Sequence, residues 1–209
     1  MPNAAEAIVG RQIRGSWWGD QDGSLVYRLL EELDAVEPGF LDIVLVDSRR
    51  TLVHPDLVPV VASVAAEPGR RARAAEAMPS PARLLLAQLE GAAGDPAPGH
   101  GTASTDRGAR GALEAALLAR SASIHTETGR HVSIVEMFGH LPGPTTVNYQ
   151  GALARLEEAA LRSAVVAPEK EVLGWFRKVE PEAARRRDAV DSLSCRRLID
   201  DGAVWLAAQ

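Results

Sequence analysis

A short segment in the middle of the chain concentrates side chains that could do chemistry. Within the sequence HTETGRH lie His125, Glu127, Arg130 and His131. Two imidazoles and a carboxylate are typical metal ligands, and facing strand positions could bring them together. The alternative is an exposed polar loop whose Arg130 and His131 contact a phosphate or a minor groove. We favour the polar loop, and we therefore predict no metal site and no cofactor.

A second group of candidate residues is basic and lies near the end of the chain. It consists of Arg177, Lys178, Arg185, Arg186, Arg187, Arg196 and Arg197. A helix predicted over residues 182–197 would carry several of them on one broad face, as a recognition helix does against phosphates. Acidic residues are interspersed with them, so a solvated helix with weak internal ion pairs explains the pattern equally well. Both interpretations stay open at the level of sequence.

The third group combines an arginine with two adjacent tryptophans in the sequence IRGSWWGD. Glycines on both sides of the tryptophans predict a loop. A tryptophan there could stack on a base or act as a wedge between bases. The alternative, which we favour, is a packing anchor for the N-terminus. Together the three groups give these candidate DNA contacts: Arg14, Trp17, Trp18, His125, Arg130, His131, Arg185, Arg186 and Arg187.

Composition limits the functional classes. The 209 residues are 46% hydrophobic and carry a net charge of -5, so the chain can bury a core but does not coat nucleic acid by bulk attraction. Cys195 is the only cysteine, which excludes an internal disulfide and a zinc site built from cysteines. No apolar run approaches the ~20 residues of a membrane span, and the N-terminus lacks a signal-peptide pattern. We therefore predict a cytoplasmic protein without membrane association.

The elements that position these residues follow one pattern, a helix that leads into a β-hairpin. The pattern occurs at residues 21–54, 109–138 and 182–207. In the second segment, helical spacing extends to Arg120 and alternation follows it. A three-residue loop at 127–129 then pairs Ile124 with Val132 and Ala122 with Ile134. In the third segment a three-residue loop at 200–202 would pair Ile199 with Ala203.

This repetition predicts an α+β, mainly helical fold of tandem winged-helix units with small β-hairpin wings. Residues 93–108 are rich in glycine, alanine, proline, serine and threonine and indicate a flexible linker. The predicted organisation is therefore an N-terminal winged-helix-like module at 1–92, the linker at 93–108, and two further units at 109–209.

Several motifs resemble a known family. The motif GSWWG before a helix and hairpin, the HTETGRH hairpin, and the C-terminal EVLGWFRK and RRLIDDGAVWLAA are similar to bacterial proteins related to the AlkZ-type winged-helix DNA glycosylases. The resemblance implies tandem winged helices that contact nucleic acid. Those glycosylases act through a Gln-x-Gln or Gln-x-Asp pair, whereas here Gln12 is followed at the second position by Arg14.

Three functions follow from these expectations. The first is a DNA-associated protein that is linked to DNA repair. It would bind duplex DNA through arginine and histidine residues on the wings and the last helix. The second is a protein-interaction module with an exposed apolar patch around Trp175 and Phe176. The third is a DNA glycosylase for modified bases. The chain has no HExxH, G-x-S-x-G or phosphate-loop motif, so enzymatic activity stays an open question.

Overall fold

The structure of the protein is a computed structural model, which describes residues 4–14, 19–34, 40–92, 102–103, 106–125, 131–138 and 148–209. In these ranges the helices are α1 (Ala4–Val9), α2 (Gly23–Asp34), α3 (Val58–Ala66), α4 (Pro68–Glu76), α5 (Ser80–Ala92), α6 (Arg107–Ala115), α7 (Tyr149–Ala164), α8 (Glu169–Trp175) and α9 (Ala183–Asp191). The strands are β1 (Leu41–Val44), β2 (Arg50–Val53), β3 (Thr102–Ala103), β4 (Ala119–His125), β5 (His131–Met137), β6 (Val166–Pro168), β7 (Cys195–Asp200) and β8 (Ala203–Ala208).

The strands form small antiparallel sheets. β1 and β2 make a two-stranded sheet, and two three-stranded sheets have the orders β3-β5-β4 and β6-β8-β7. In both larger sheets a short upstream strand pairs with the second strand of the following hairpin, which therefore lies in the centre. The predicted α+β, mainly helical class is confirmed. A helix precedes a hairpin at each of the three predicted places.

The register of the second hairpin is the predicted one. Ile124 lies opposite Val132 and Ala122 opposite Ile134, while His125 faces His131 at the end of the ladder. Residues 126–130, which carry the predicted loop, lie outside the described residues. Alternation along β4 and β5 was sufficient to select this pairing, because a shift by one residue would exchange the two faces of the sheet.

The register predicted for the third hairpin is wrong. Ile199 lies opposite Val204, not Ala203, and Asp200 pairs with Ala203. The connection is a two-residue turn, Asp201-Gly202, in which φ is 46° and 76°. Positive φ at both central positions is the geometry of a tight turn that matches the twist of the strands, and Asp-Gly is one of its preferred sequences.

Two of the predicted helices end earlier than their sequence spacing indicates. α6 ends at Ala115, and Arg120 already lies in β4 opposite Glu136. α9 ends at Asp191, so Arg196 and Arg197 lie on β7 and not on a helix. Arginine is compatible with helix, but pairing with β5 and β8 outweighs this weak local preference.

The core is built around α3, which is apolar on nearly every side. Val60, Val61 and Val64 are fully buried, as expected of a helix that carries no polar face. α3 packs against α7, and one hydrophobic cluster joins the first hairpin and α3 to α7, α8, α9 and β8. No helix within the described ranges has both the length and the apolar character that crossing a bilayer requires.

A second hydrophobic cluster joins α4 and α5 to α6, β4 and β5. Residues of the predicted module 1–92 are thus divided between two clusters, and both also contain residues from 109–209. The predicted linker 93–108 includes β3, which pairs with β5, and the first residues of α6. Its residues 93–101, 104 and 105 lie outside the described residues.

Arg70 on α4 connects these parts from inside the protein. Its side chain is fully buried and its guanidinium donates hydrogen bonds to backbone carbonyls of four residues: Ala65, Ala116, Leu117 and Val179. Leu117 has φ of 49°, a conformation that leucine rarely adopts, and Arg70 holds the turn that contains it. Burial lowers the pKa of Arg70 to about 10, so the group stays charged at neutral pH.

Candidate interaction surface

Arg186, one of the candidate DNA contacts on α9, lies against the protein itself. Arg186 donates hydrogen bonds to the carbonyl oxygens of Leu173, Glu180 and Pro181, at 3.0, 2.6 and 2.8 Å. These three carbonyls belong to the end of α8 and the connection to α9. The Nε and Nη1 groups of Arg186 therefore fix the angle between the two helices, and they are not directed toward a ligand.

Carboxylates neutralise the neighbouring arginines. Arg185 Nε lies 2.9 Å from Glu182 Oε2, and its guanidinium carbon lies 5.9 Å from the centre of the Tyr149 ring. Arg187 Nη1 lies 3.6 Å from Glu169 Oε1. On β7, Arg197 donates to Glu169 and Asp191 at 2.9 and 2.7 Å. These pairs reduce the positive potential that the arginine-rich sequence predicts for this region.

A buried carboxylate accepts hydrogen bonds from the N-terminal ends of α7 and α9. Glu180 is fully buried, and it accepts hydrogen bonds from Arg73 Nη2 at 2.6 Å, from Tyr149 Oη at 2.7 Å and from the backbone of Glu182 at 2.9 Å. Burial by itself raises the pKa of this carboxyl, but the bonds outweigh burial and hold its pKa below the ordinary value. Glu180 therefore stays ionised and anchors α4 to the third unit.

Glu157 on α7 presents the opposite case. It is fully buried, and neither carboxylate oxygen has a hydrogen-bond partner in the described part of the chain. Burial raises the pKa of Glu157 well above its ordinary value, and the charge of Arg186 opposes this only in part. The sequence carried a signal for this residue, since Leu153, Glu157 and Leu161 are spaced by four along the inward face of α7.

The other candidate residues are distributed as follows. Arg14 is exposed in the segment that follows α1. His125 and His131 face each other in the backbone register of the second hairpin. Trp17, Trp18 and Arg130 lie outside the described residues. Arg177, Lys178 and Arg196 are exposed and have no ion-pair partner among the residues that the structure describes.

Apolar side chains are exposed on the third sheet. Val165 is 68% exposed, Val166 42%, Leu198 43% and Ile199 80%. Leu198 lies opposite Trp205 on β8, and Trp205 lies opposite Pro168 on β6. The next row, two residues along each strand, consists of Arg196, Ala207 and Val166. We call this side the outer face, because the residues of the other side, Ala167 and Leu206, are buried in the core.

The prediction of an exposed apolar patch around Trp175 and Phe176 is wrong. Trp175 is 7% and Phe176 1% exposed, because both pack into the core around α3 and α7. Exposed apolar side chains lie on the third sheet instead, with Leu198 and Val166 on its outer face and Ile199 on the other face of β7. Beside Val166, Val165 has φ of 67°, a region that β-branched residues rarely adopt, and strain of this kind concentrates at functional positions.

β7 also has a free edge. It pairs with β8 on one side, and no strand among the described residues pairs with its other side. Arg196 through Asp200 are all exposed, and the adjoining turn adds Asp201. Proteins usually cover, shorten or charge such edges, because their unpaired amide and carbonyl groups recruit further strands. The tip of this hairpin is acidic and apolar, which disfavours contact with phosphate.

A shallow cleft lies between β1 and β4, next to charged residues. It has a volume of about 10 Å³ and is lined by Asp42, Arg50, Glu114, Arg120 and Ser121, among others. Arg50 donates to Asp42 at 2.8 Å, and Arg120 to Glu136 at 2.6 Å. That volume is far below the ~300 Å³ of typical ligand pockets, and the charges of both arginines are already paired. This cleft does not have the character of a substrate site.

The described residues form an α+β protein in which a helix precedes each of three hairpins, and β7 is exposed at the edge of the third sheet. Comparison with protein-family models, with curated proteins and with solved structures gives no match for this chain. The assignment of function therefore depends on the geometry of the surface itself.

Proposed function

We propose that the protein is an interaction module of winged-helix build, which binds another protein through the outer face and free edge of the third sheet. The element order α7-β6-α8-α9-β7-β8 with sheet order β6-β8-β7 supports a winged helix, in which a strand follows the first helix and a hairpin follows the third. The second unit, with β3-β5-β4, supports a related build. The observation that carries the proposal is the exposure of Leu198 and Ile199 on β7, whose second edge has no strand partner among the described residues.

The residue composition of the outer face fits a protein partner. An aromatic ring, branched aliphatic side chains and one free arginine lie together, which is the composition of the core of a protein-protein contact. The free edge adds main-chain groups to which an extended segment can bind. Arg185 is paired with Glu182, and Arg197 with Glu169 and Asp191, which lowers the positive charge available to a nucleic acid.

Site-specific photo-crosslinking tests the proposal. A photoreactive residue replaces Leu198 in the cells that naturally make the protein, and the same residue replaces Leu84 as the control. Leu84 is 68% exposed. It lies on α5, which precedes the first strand of the third sheet by more than 70 residues of sequence. We expect protein adducts from position 198 and not from position 84. Adducts with nucleic acid at position 198, or equal adducts at both positions, would contradict the proposal.

A second candidate function is association with double-stranded DNA. It is favoured by the position of α9, which is that of a recognition helix in a winged helix. It is also favoured by Arg177, Lys178 and Arg196, which are exposed and have no ion-pair partner within the described ranges. Fluorescence anisotropy of a labelled duplex over a range of salt concentrations tests it. Binding that weakens steeply with salt is expected from phosphate contacts, whereas undetectable or salt-insensitive binding removes this candidate. Release of a modified base from alkylated DNA would extend it to a glycosylase.

A further inference from the structure

The sequence of β7 is complementary to itself when read in the antiparallel direction. It reads Cys195-Arg196-Arg197-Leu198-Ile199-Asp200. If a two-fold axis passes through Leu198, a second copy of the strand places its Asp200 opposite Arg196 and its Arg196 opposite Asp200. Leu198 then meets Leu198 of the other copy between the two charge pairs. Arg196 and Asp200 have no ion-pair partner within the described residues, so both are available.

We propose that the partner of the third sheet is a second copy of this chain, bound by antiparallel pairing of the two β7 edges around Leu198. This inference rests on the proposed function, whose surface it assigns to a specific partner. The two β6-β8-β7 sheets would form one continuous six-stranded sheet. Such an interface is isologous, since each strand contributes the same residues to both halves of the contact.

The direction of the side chains supports this register. Arg196, Leu198 and Asp200 all project from the outer face, since they lie opposite Ala207, Trp205 and Ala203 on β8. Directly opposed residues on antiparallel strands have Cβ atoms about 4.5–5.5 Å apart, a distance that permits a salt bridge between Arg196 and Asp200. Opposite charges in such positions stabilise the pair, and like charges destabilise it.

The opposite side of β7 accepts the second copy as well. In the same register Arg197 lies opposite Ile199 of the other strand. The guanidinium of Arg197 is already held by Glu169 and Asp191, so its aliphatic stem is the part that Ile199 would cover. Ile199 is 80% exposed in the single chain, and this contact would remove much of its surface from water.

Other registers of the same two strands are less favourable. An axis through Arg197 would place the two Arg197 side chains opposite each other, and parallel pairing would align every charge with its own kind. An axis through Ile199 would place Leu198 opposite Asp200. Only the axis through Leu198 gives each Arg196 an acidic partner, so charge selects one register. Contacts limited to one edge bury little area and predict a weak, concentration-dependent dimer.

Charge-exchange variants test this pairing by sedimentation equilibrium over a wide range of protein concentration. The native chain is expected to dimerise as concentration rises. Arg196→Asp alone and Asp200→Arg alone are each expected to stay monomeric, because the dimer would oppose like charges. An equimolar mixture of the two variants is expected to form heterodimers, because the acidic edge of one matches the basic edge of the other. The double exchange is expected to dimerise like the native chain.

Each outcome decides between the possibilities. Circular dichroism of the variants confirms that they are folded, and formation of the heterodimer shows the same thing directly. A native chain that stays monomeric at the highest concentration, or single variants that dimerise as tightly as the native chain, would overturn the inference. Adducts at position 198 with a different protein, together with a monomeric native chain, would leave the proposed function in place and remove only the second copy as partner.

Discussion

The second and third sheets have the same strand order, but their edge strands have different surroundings. In β3-β5-β4 the edge strand β4 begins at Ala119, which is fully buried, and β1 of the first hairpin lies beside its first residues across a cleft. In β6-β8-β7 the edge strand β7 is exposed from Arg196 to Asp200. Strand order alone therefore does not determine whether an edge is available to a partner.

The difference arises from what precedes each hairpin. Leu117 and Leu118 connect α6 to β4 and are both buried, so the start of the edge strand is drawn into the protein. Leu193 connects α9 to β7 and packs against the core only partly, after which β7 extends away from it. An edge without cover, with two exposed aliphatic residues, is one that proteins normally avoid. The exposed edge of β7 therefore favours a role in association.

Arg70 joins the two regions, and its replacement should have the largest effect. Arg70→Met leaves the carbonyl oxygens of Ala65, Ala116, Leu117 and Val179 without their buried donor. We expect a loss of about 3–5 kcal/mol in the free energy of unfolding, the range for breaking a buried charged network. Urea denaturation measures it. Arg71→Ala is the matched control, since Arg71 is partly exposed and should contribute less than about 1 kcal/mol; equal losses would contradict the role of Arg70.

A pair of leucine substitutions sharpens the comparison of the two edge strands. Leu118→Ala, just before β4, removes a side chain that is 1% exposed and should lower the free energy of unfolding by about 3 kcal/mol. Leu198→Ala, in β7, should change the stability of the single chain by less than about 0.5 kcal/mol. Thermal denaturation at low protein concentration measures both. A large loss from Leu198→Ala would mean that β7 is part of the core and not an open edge.

The units also differ in how they hold buried charge, and Glu157→Met tests this difference. Removing a carboxyl without partners should raise the free energy of unfolding at pH 7 by about 1–3 kcal/mol. The folded-state pKa of Glu157 is raised, so the folded chain binds more protons than the unfolded chain above the ordinary glutamate pKa of about 4.3. Native stability should therefore fall as pH rises from there toward the folded-state pKa, and the variant should lack this part of the decline.

Glu158→Met serves as the control for that experiment. Glu158 is the neighbouring residue, is partly exposed, and lies 2.7 Å from Arg162 on the same helix. Its replacement should lower stability by about 0.5 kcal/mol or less. Denaturation curves at several pH values compare the two variants. If both have the same pH dependence as the native chain, Glu157 is ionised in the folded state and the assignment of its raised pKa is incorrect.

Tyr149→Phe should have a smaller effect than the replacements of Arg70 and Leu118. It removes one of the donors to Glu180, and we expect a loss of about 1 kcal/mol at neutral pH. The folded-state pKa of Glu180 is lowered, so its contribution is present above the ordinary glutamate pKa and is lost as pH falls through the folded value. The variant should consequently differ less from the native chain at acidic pH than at neutral pH. Denaturation curves of the variant and the native chain at neutral and acidic pH measure this. A difference in the free energy of unfolding that grows toward low pH would contradict the prediction.

Local patterns in the sequence predicted a large part of the fold. Alternation in β4 and β5 gave the pairing of Ile124 with Val132, because a hairpin with a buried face tolerates only one register. The same logic failed at Ile199, whose strand has no buried face at that point, so only the turn type could fix the register. The two-residue Asp201-Gly202 turn carried that information, since Asp-Gly favours positive φ at both positions.

Sequence patterns predicted less about the contacts of the charged side chains. The partners of Arg70 are carbonyl oxygens of Ala116, Leu117 and Val179, and a backbone acceptor leaves no trace in residue type. The arginines near the end of the chain predict a basic surface, but Arg186 on α9 and Arg197 on β7 are bound by groups that lie apart from them along the chain. Glu157 was detectable, because it occupies an inward position of the apolar stripe of α7.

Amide hydrogen exchange along the two edge strands, measured at low and high protein concentration, tests most directly whether the third sheet is the surface for association. Dimerisation through β7 should slow the exchange of β7 amides severalfold at high concentration, because amides that pointed to water become donors to the second copy. The described amides of β4 should exchange at the same rate at both concentrations. Exchange in β7 that is independent of concentration would contradict the account, as would equal slowing of β4 and β7.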